Sequence, residues 1–421
     1  MLGAVVNRTD GIRAMIDTKD RREIAQRDAG MAELEPAVLQ LLAYCQSNDW
    51  AGDDPYDALN SRFFQALPFL NFRLARLAFT QGMKRSPLNL RRWMVVPRTH
   101  NPKALALFVP ALLKLSRIGL LPQEQLIGMV TEKLLALRSG NSPYWCWGYN
   151  FPWQSRVALV PRGLPNIICT TFAANALLDV YEVSREPRYL SIAVSAAEFV
   201  RNILYRSDGD AVACFDYTPL GRSEVHNANL LGAAFLCRVS KETGDKTWLG
   251  PALKAVRFSM SKQYEDGSWD YGEAPSQRWK DNFHTGFNLC ALRTIGRCAE
   301  TSDFEPHVQR GFEFYKNHFF REDGAPKYYH DRTYPIDIHS VAQSIITLLA
   351  LKGLDDGNVA LAWAVFGWAM DHMWDDRGYF YYQKVPGYTI KIPYMRWGQA
   401  WMLLALTTLL EECGPGVWKE G

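Results

Sequence analysis

Five amide side chains, Asn175, Asn229, Asn288, Gln343 and Gln399, recur at intervals of 54, 59, 55 and 56 residues. That period constrains the fold more than any other feature of the chain. It is too long for one helix, and each interval holds two apolar helical patterns, such as 225–243 with 247–263 and 283–300 with 304–318. Within them Ala, Leu, Phe and Val recur at the i, i+3, i+4 steps of a buried helix. Two helices alone cannot bury their apolar faces, so such units must stack or close on themselves. Upstream, 102–118 and 123–138 supply another pair, and 33–47 and 61–82 read as two further helices. The sequence therefore predicts an all-α fold, an (α/α)6-type toroid of six, at most seven, helical hairpins. Its inner helices should begin near residues 102, 166, 225, 283, 337 and 396. An open α-solenoid is the alternative. Length alone, 421 residues at about 150 per domain, would suggest nearly three domains. The repeat, with no linker-like run, predicts instead a single domain over 31–415 preceded by a flexible polar segment at 1–30.

The connections between helix pairs are long and aromatic: Ser142–Tyr149, Asp208–Tyr217, Asp266–Tyr271, Asp323–Tyr329 and Asp376–Tyr382. An Asp-Gly turn followed by alternating aromatics predicts a tight turn and a short β-hairpin. If the inner helices run parallel, these loops and the first turns of the inner helices share one face. The helix entries bring Glu224, His226 and Asn229, Asp281, His284 and Asn288, Asp337, His339 and Gln343, and Tyr394, Arg396 and Trp397 to that face. The pairs His284/Asn288 and His339/Gln343 stand four apart, hence on one side of a helix. Asp or Asn ahead of a helix is commonly a cap worth about 1 kcal/mol, and Asp281, Asn282 and Asp337 suit that role. Three acids, three His, several amides, an Arg and many aromatics converging on one concavity suit a sugar site, where ring faces stack on Trp and Tyr.

Two chemistries are open. Glycoside hydrolysis uses paired carboxylates; Asp281 and Asp337 are the first candidates and Asp270 a further one, with His284 and His339 orienting substrate or tuning the acids. Uronic acid epimerisation would use a His or Tyr base, with Arg396 holding the substrate carboxylate. Substrate-binding candidates are Trp145, Trp147, Tyr149, Asp216, His226, Asn229, Trp269, Tyr271, Asn288, Tyr334, Gln343, Tyr394, Arg396 and Trp397. A non-catalytic polysaccharide-binding or assembly protein within a synthesis complex is the reading from another class.

Several classes drop out. Forty-seven basic against 44 acidic residues, a net +3, gives no electrostatic case for nucleic acid or an anionic membrane. Forty-eight per cent hydrophobic with 22 per cent charged excludes a disordered chain. The eight Cys are scattered, without CxxC or zinc spacing, and read as reduced packed thiols. No signal-peptide core or run of about 18 apolar residues is evident, so a cytoplasmic location without membrane insertion is expected. Asp53-Asp54-Pro55-Tyr56-Asp57 fits a DDxxD magnesium pattern, but Pro55 sits where a helix would begin and Asp54 is expected to cap it. HExxH, a phosphate loop and GxSxG are absent. No metal and no cofactor is expected; the partner is a polysaccharide or oligosaccharide.

Trp279–Asn288, Pro335–Gln343 and Tyr394–Trp401, with Trp50–Asp57 and Asn101–Ala104 upstream, resemble a bacterial family associated with exopolysaccharide and capsule biosynthesis. Some of its members are misnamed delta-aminolevulinic acid dehydratase. The resemblance spans roughly residues 35–412. More distantly the chain resembles six-hairpin glycosidases and the C-terminal toroid of glucuronyl C5-epimerases. Gln263–Trp269 is similar to the repeat of triterpene cyclases, without their DxDD. The resemblance implies polysaccharide processing and carries over no catalytic residue.

Overall fold

The computed structural model describes residues 30–140, 142–154, 159–207 and 213–413. Fourteen helices appear among them. They are α1 (30–47), α2 (Arg62–Gln65), α3 (Arg73–Arg85), α4 (Pro102–Arg117), α5 (Gln125–Ala136), α6 (Ile167–Ser184) and α7 (Pro187–Phe199). The second half gives α8 (His226–Thr243), α9 (Leu249–Met260), α10 (Asn282–Ala299), α11 (Glu305–Phe319), α12 (Ile338–Ala350), α13 (Asn358–Met373) and α14 (Ala400–Cys413). Six of them, α4, α6, α8, α10, α12 and α14, touch in succession, and α14 returns to α4. That closure makes the chain an (α/α)6 toroid rather than an open solenoid. Helices α5, α7, α9, α11 and α13 each pack outside the inner helix they follow. Helix α1 takes the sixth outer position, with Gly30 against Trp363 of α13 and the Tyr44 ring 5.0 Å from Tyr379.

The inner helices start where their caps stand. Asn101, Asn166, Asp281 and Asp337 each accept a backbone N–H of the first turn of α4, α6, α10 and α12. Helix α6 is apolar and long enough to cross a membrane by composition, contrary to the sequence reading, but most of it is buried inside the ring.

Short antiparallel pairs decorate the loop face. They are β1 (Trp153–Gln154) with β2 (Leu159–Val160), and β3 (Tyr205–Ser207) with β4 (Ala213–Phe215). Further along, β5 (Ile336–Asp337), β6 (Trp374–Asp375), β7 (Tyr379–Phe380), β8 (Gln383–Val385) and β9 (Tyr388–Ile390) form a β6–β7 pair and a β5–β8–β9 sheet. The recurring amide explains how such loops are fixed. Asn229 Oδ1 accepts the Phe215 N–H at 3.0 Å while its Nδ2 donates to Ala255 O and Ser259 Oγ. Gln399 likewise exchanges two hydrogen bonds with the Phe380 backbone. The Asp-Gly turn at 266–267 requires its glycine: φ is +86°, and a Cβ would lie 2.1 Å from Arg310 O. The Asp-Gly pair at 208–209 lies outside the described residues.

Two expectations need correction. Residues 61–82 are not one helix: Pro68 cannot donate to a helical ladder, and the chain breaks into α2, a 3₁₀ turn over Pro68–Leu70, and α3. Asp54 does not cap a helix; the turn Asp57–Asn60 has no side-chain cap, and Asp54 is committed elsewhere.

Candidate active site

The first turns of the inner helices bring a ring of ionisable groups to the loop face: Lys103 on α4, His226 on α8, His284 on α10, His339 on α12, and Arg396 in the π-helical turn Met395–Gln399 that leads into α14. Their environments separate them by chemistry.

His284 is the partly exposed one of the three His. Its Nδ1 lies 2.7 Å from Asp281 Oδ2, whose side chain is fully buried, while the His284 side chain is 21 % exposed. A carboxylate on Nδ1 fixes the tautomer in which Nε2 carries the free lone pair. Asp281 also accepts the His284 N–H at 3.0 Å and Trp279 Nε1 at 2.8 Å. Tyr271 stacks on Trp279 at 4.6 Å and packs on the His284 ring at 4.5 Å, which makes an aromatic wall at the opening. Nearby, Lys84 Nζ donates to Tyr56 Oη at 2.8 Å, and the Tyr56 ring packs 5.4 Å from Trp397. Tyr329 pairs with Asp281 in a β-bridge, and the charges of Asp281 and Lys84 act on it in opposite senses.

The other two His differ. His226 is buried with both nitrogens occupied, Nε2 by Glu273 Oε1 at 2.9 Å and Nδ1 by Ser259 Oγ at 3.2 Å. His339 is buried among Phe283, Trp397 and Trp401, and neither ring nitrogen has a partner. Burial, with Lys103, Arg396 and His284 adding repulsion, holds it well below the usual His range, so it is neutral.

The carboxylates expected to do glycosidic chemistry are occupied. Asp337 is fully buried and accepts the His339 N–H at 2.9 Å, Trp397 Nε1 at 2.8 Å and Gln383 Nε2 at 2.9 Å. Burial still pushes it up to about 6. Asp270 accepts Tyr264 Oη and Lys280 Nζ. Asp216 accepts the Ser223 N–H and stands 3.7 Å from Arg206. Arg396 is 3 % exposed and grips Asp54 through Nε at 2.5 Å and Nη2 at 2.8 Å, so its fork is not open to a substrate carboxylate. Tyr394 accepts Arg91 Nη1 at 2.8 Å.

The aromatic candidates divide as well. Trp147 and Trp269 are core residues whose indole N–H groups donate to the carbonyls of Leu134 and Ser259 on outer helices. Trp145 is half-buried beneath the Arg138 guanidinium, its backbone tied to Ser195 of α7. Tyr149 and Tyr217 share a hydrogen bond beside Arg396, and Tyr217 packs on Trp153. Tyr334 packs half-buried against the core. Asn288 Oδ1 and Gln343 Oε1 are buried without partners, while Gln343 Nε2 donates to Thr347 Oγ1 at 3.0 Å.

The centre of the ring is filled rather than deeply hollow. Lys103, absent from the sequence-derived set, is buried there under the faces of Phe172, Trp401 and Phe287 at 4.4, 5.1 and 5.3 Å. Burial, reinforced by Arg396, pushes its ammonium down to about 7. Its position at the start of the first inner helix, in Asn101-Pro-Lys103, was the available signal. A cavity of about 250 Å³ lies at the other end of α10, where Arg293, Arg297 and Glu305 line it without any His, Tyr or Trp.

No family model and no curated protein matches the sequence. Solved structures do match the fold. A cellobiose 2-epimerase from Bacillus thermoamylovorans superposes with a TM-score of 0.59 at 11 % identity, over 76 % of this chain and 90 % of that one. An unsaturated glucuronyl hydrolase specific for heparin gives 0.56 at 13 %, over 75 % and 88 %. A polysaccharide lyase gives 0.56 at 11 %, over 90 % and 96 %. The toroid is shared. At these identities the likeness concerns the fold alone.

Proposed function

We propose that this chain is a carbohydrate-processing enzyme whose reaction is proton abstraction from a sugar carbon, with epimerisation as the outcome. The observation that carries the reading is the Asp281–His284 pair at an aromatic-walled mouth. A His held by a buried carboxylate is a general base suited to neutral pH. His284 Nε2 takes the C–H proton beside a carbonyl or carboxylate of the sugar, and Tyr271 and Trp279 offer ring faces to it. Return of a proton to the opposite face of the carbon completes the epimerisation. Tyr56, hydrogen-bonded to Lys84, is the donor assigned to that step. Asp281 is then a positioning residue. The paired-carboxylate hydrolysis is less favoured because Asp281 and Asp337 each already accept three hydrogen bonds in buried settings. The named activities of the solved neighbours, epimerase, hydrolase and lyase, agree with sugar chemistry on this fold.

Variants separate the two chemistries. On a panel of reducing disaccharides and uronate-containing oligosaccharides, His284→Asn should lower turnover by about 10²–10⁴-fold, the usual worth of a general base. Asp281→Asn should lower kcat while leaving KM close to wild type. Asp337→Asn, which keeps the Oδ1 acceptor and loses the hydrogen bond from Gln383, should act mainly on stability. Full activity in a folded His284→Asn protein would remove the assignment.

A further inference from the structure

The stretch from Ser61 to Arg98, between α1 and α4, holds eight Lys and Arg and no Asp or Glu, whereas the whole chain nets only +3. The balance of the molecule is therefore net negative, and the positive charge is concentrated in this one insertion. The same stretch carries the most exposed large apolar side chains of the described residues. Trp93 is 78 %, Phe69 72 %, Leu74 70 % and Leu88 68 % exposed, with Phe63 and Phe72 above half.

This exposure does not come from a loose loop. The insertion has its own small core of Ala58, Met83 and Val96, and Phe64 stacks on Phe79 at 4.7 Å. It is fastened to the ring by buried Arg91, which donates to Asp57 Oδ1, the Asp54 carbonyl and Tyr394 Oη. Arg76 Nε donates to Gln154 at 2.8 Å, and Lys84 reaches Tyr56, so the insertion stands beside the mouth. Its inward apolar residues are satisfied while a second apolar set faces water. Arg62, Arg73, Arg85 and Arg92 are exposed, and none of them pairs with a carboxylate among the described residues.

Trp, Phe and Leu interleaved with unpaired Arg on a rigid surface is the composition of an interfacial anchor. The apolar side chains enter the headgroup–acyl boundary, and the guanidinium groups meet lipid phosphate. We infer that the 61–98 insertion docks the toroid onto an anionic lipid surface. The inference stands independently of the proposed sugar chemistry. If both hold, the mouth opens at the lipid surface, where a glycan carried on lipid would be presented.

The test is flotation of the full chain with phosphatidylcholine vesicles, with and without phosphatidylglycerol. The wild-type protein should float with the anionic vesicles only and be released by high salt. Each surface Arg contributes about fivefold to such partitioning, so Arg73→Glu/Arg92→Glu should weaken it by at least about 30-fold. Phe69→Ser/Phe72→Ser/Trp93→Ser should weaken it as well. Both variants change only exposed side chains, and their thermal melts should match wild type. Wild-type protein that stays unbound to anionic vesicles overturns the inference, as does equal binding by the variants. So does light scattering that shows a dimer broken by the triple Ser variant without lipid binding, which would make a second copy the occupant.

Discussion

Replacing Lys103 by Met tests how the centre of the ring is held. The ammonium sits within the ring, 3 % exposed, among three aromatic faces, and burial brings it down to about 7. The unfolded chain keeps a lysine near 10.4. Between about pH 7 and pH 10 the unfolded state therefore binds a proton that the folded state does not, and stability attributable to this site rises with pH. Below pH 7 the full cost of the buried charge is present. About three and a half units at 1.36 kcal/mol each set a ceiling of roughly 5 kcal/mol. Cation–π attraction, about 0.5–2 kcal/mol at such sites, is already part of that balance and is lost with the charge. Methionine keeps the length and contacts aromatic faces well. Lys103→Met should accordingly stabilise the protein by about 1–4 kcal/mol at pH 6, and the gain should shrink towards pH 10. Urea unfolding of both proteins at pH 6, 8 and 10 measures it. A variant less stable than wild type at every pH, or a difference that does not change with pH, would refute the reasoning.

Three further outcomes follow from named contacts. Arg396→Met leaves Asp54 buried without its bidentate partner and should cost about 3–5 kcal/mol, whereas Arg396→Met with Asp54→Leu should recover much of it in a double-mutant cycle. Asn229→Leu removes the tie between β4 and α8 and strands the Phe215 N–H, and should cost about 2–4 kcal/mol by thermal denaturation; a loss under about 0.5 kcal/mol would contradict that role. Asp337, raised to about 6 in the folded state against an ordinary value of 3.8, binds a proton that the unfolded chain has lost between about pH 4 and 6. Stability should fall as pH rises through that window in wild type, and Asp337→Asn should flatten that part of the stability–pH curve.

The toroid was legible because its cause is local. An apolar helical pattern repeated at a near-constant period allows few closures, and the inner helices start within a few residues of 102, 166, 225, 283, 337 and 396. The Asp281 and Asp337 caps were legible for the same reason, whereas Asn282, expected to cap as well, is the first residue inside α10, and the Asn101 and Asn166 caps were not singled out. The division of labour within the site was not. Trp147 and Trp269 follow turn signals just as Tyr271 does, yet their indoles turn inward to outer-helix carbonyls. Only the packing of another hairpin decides that. Arg396 looked free because its partner Asp54 lies 342 residues away in sequence. Asp281 and His284 were singled out together, but which is the reagent and which the support depends on burial, with the Asp281 side chain enclosed and His284 partly exposed. The basic, apolar 61–98 insertion was hidden by the near-neutral total and by reading 61–82 as one helix.

The most direct test of the central reading is incubation with the same sugars in heavy water, followed by NMR and mass spectrometry. Proton abstraction at His284 predicts deuterium at a carbon-bound position of intact sugar with wild-type protein and none with His284→Asn. New reducing ends without carbon-bound deuterium would establish hydrolysis and contradict the account.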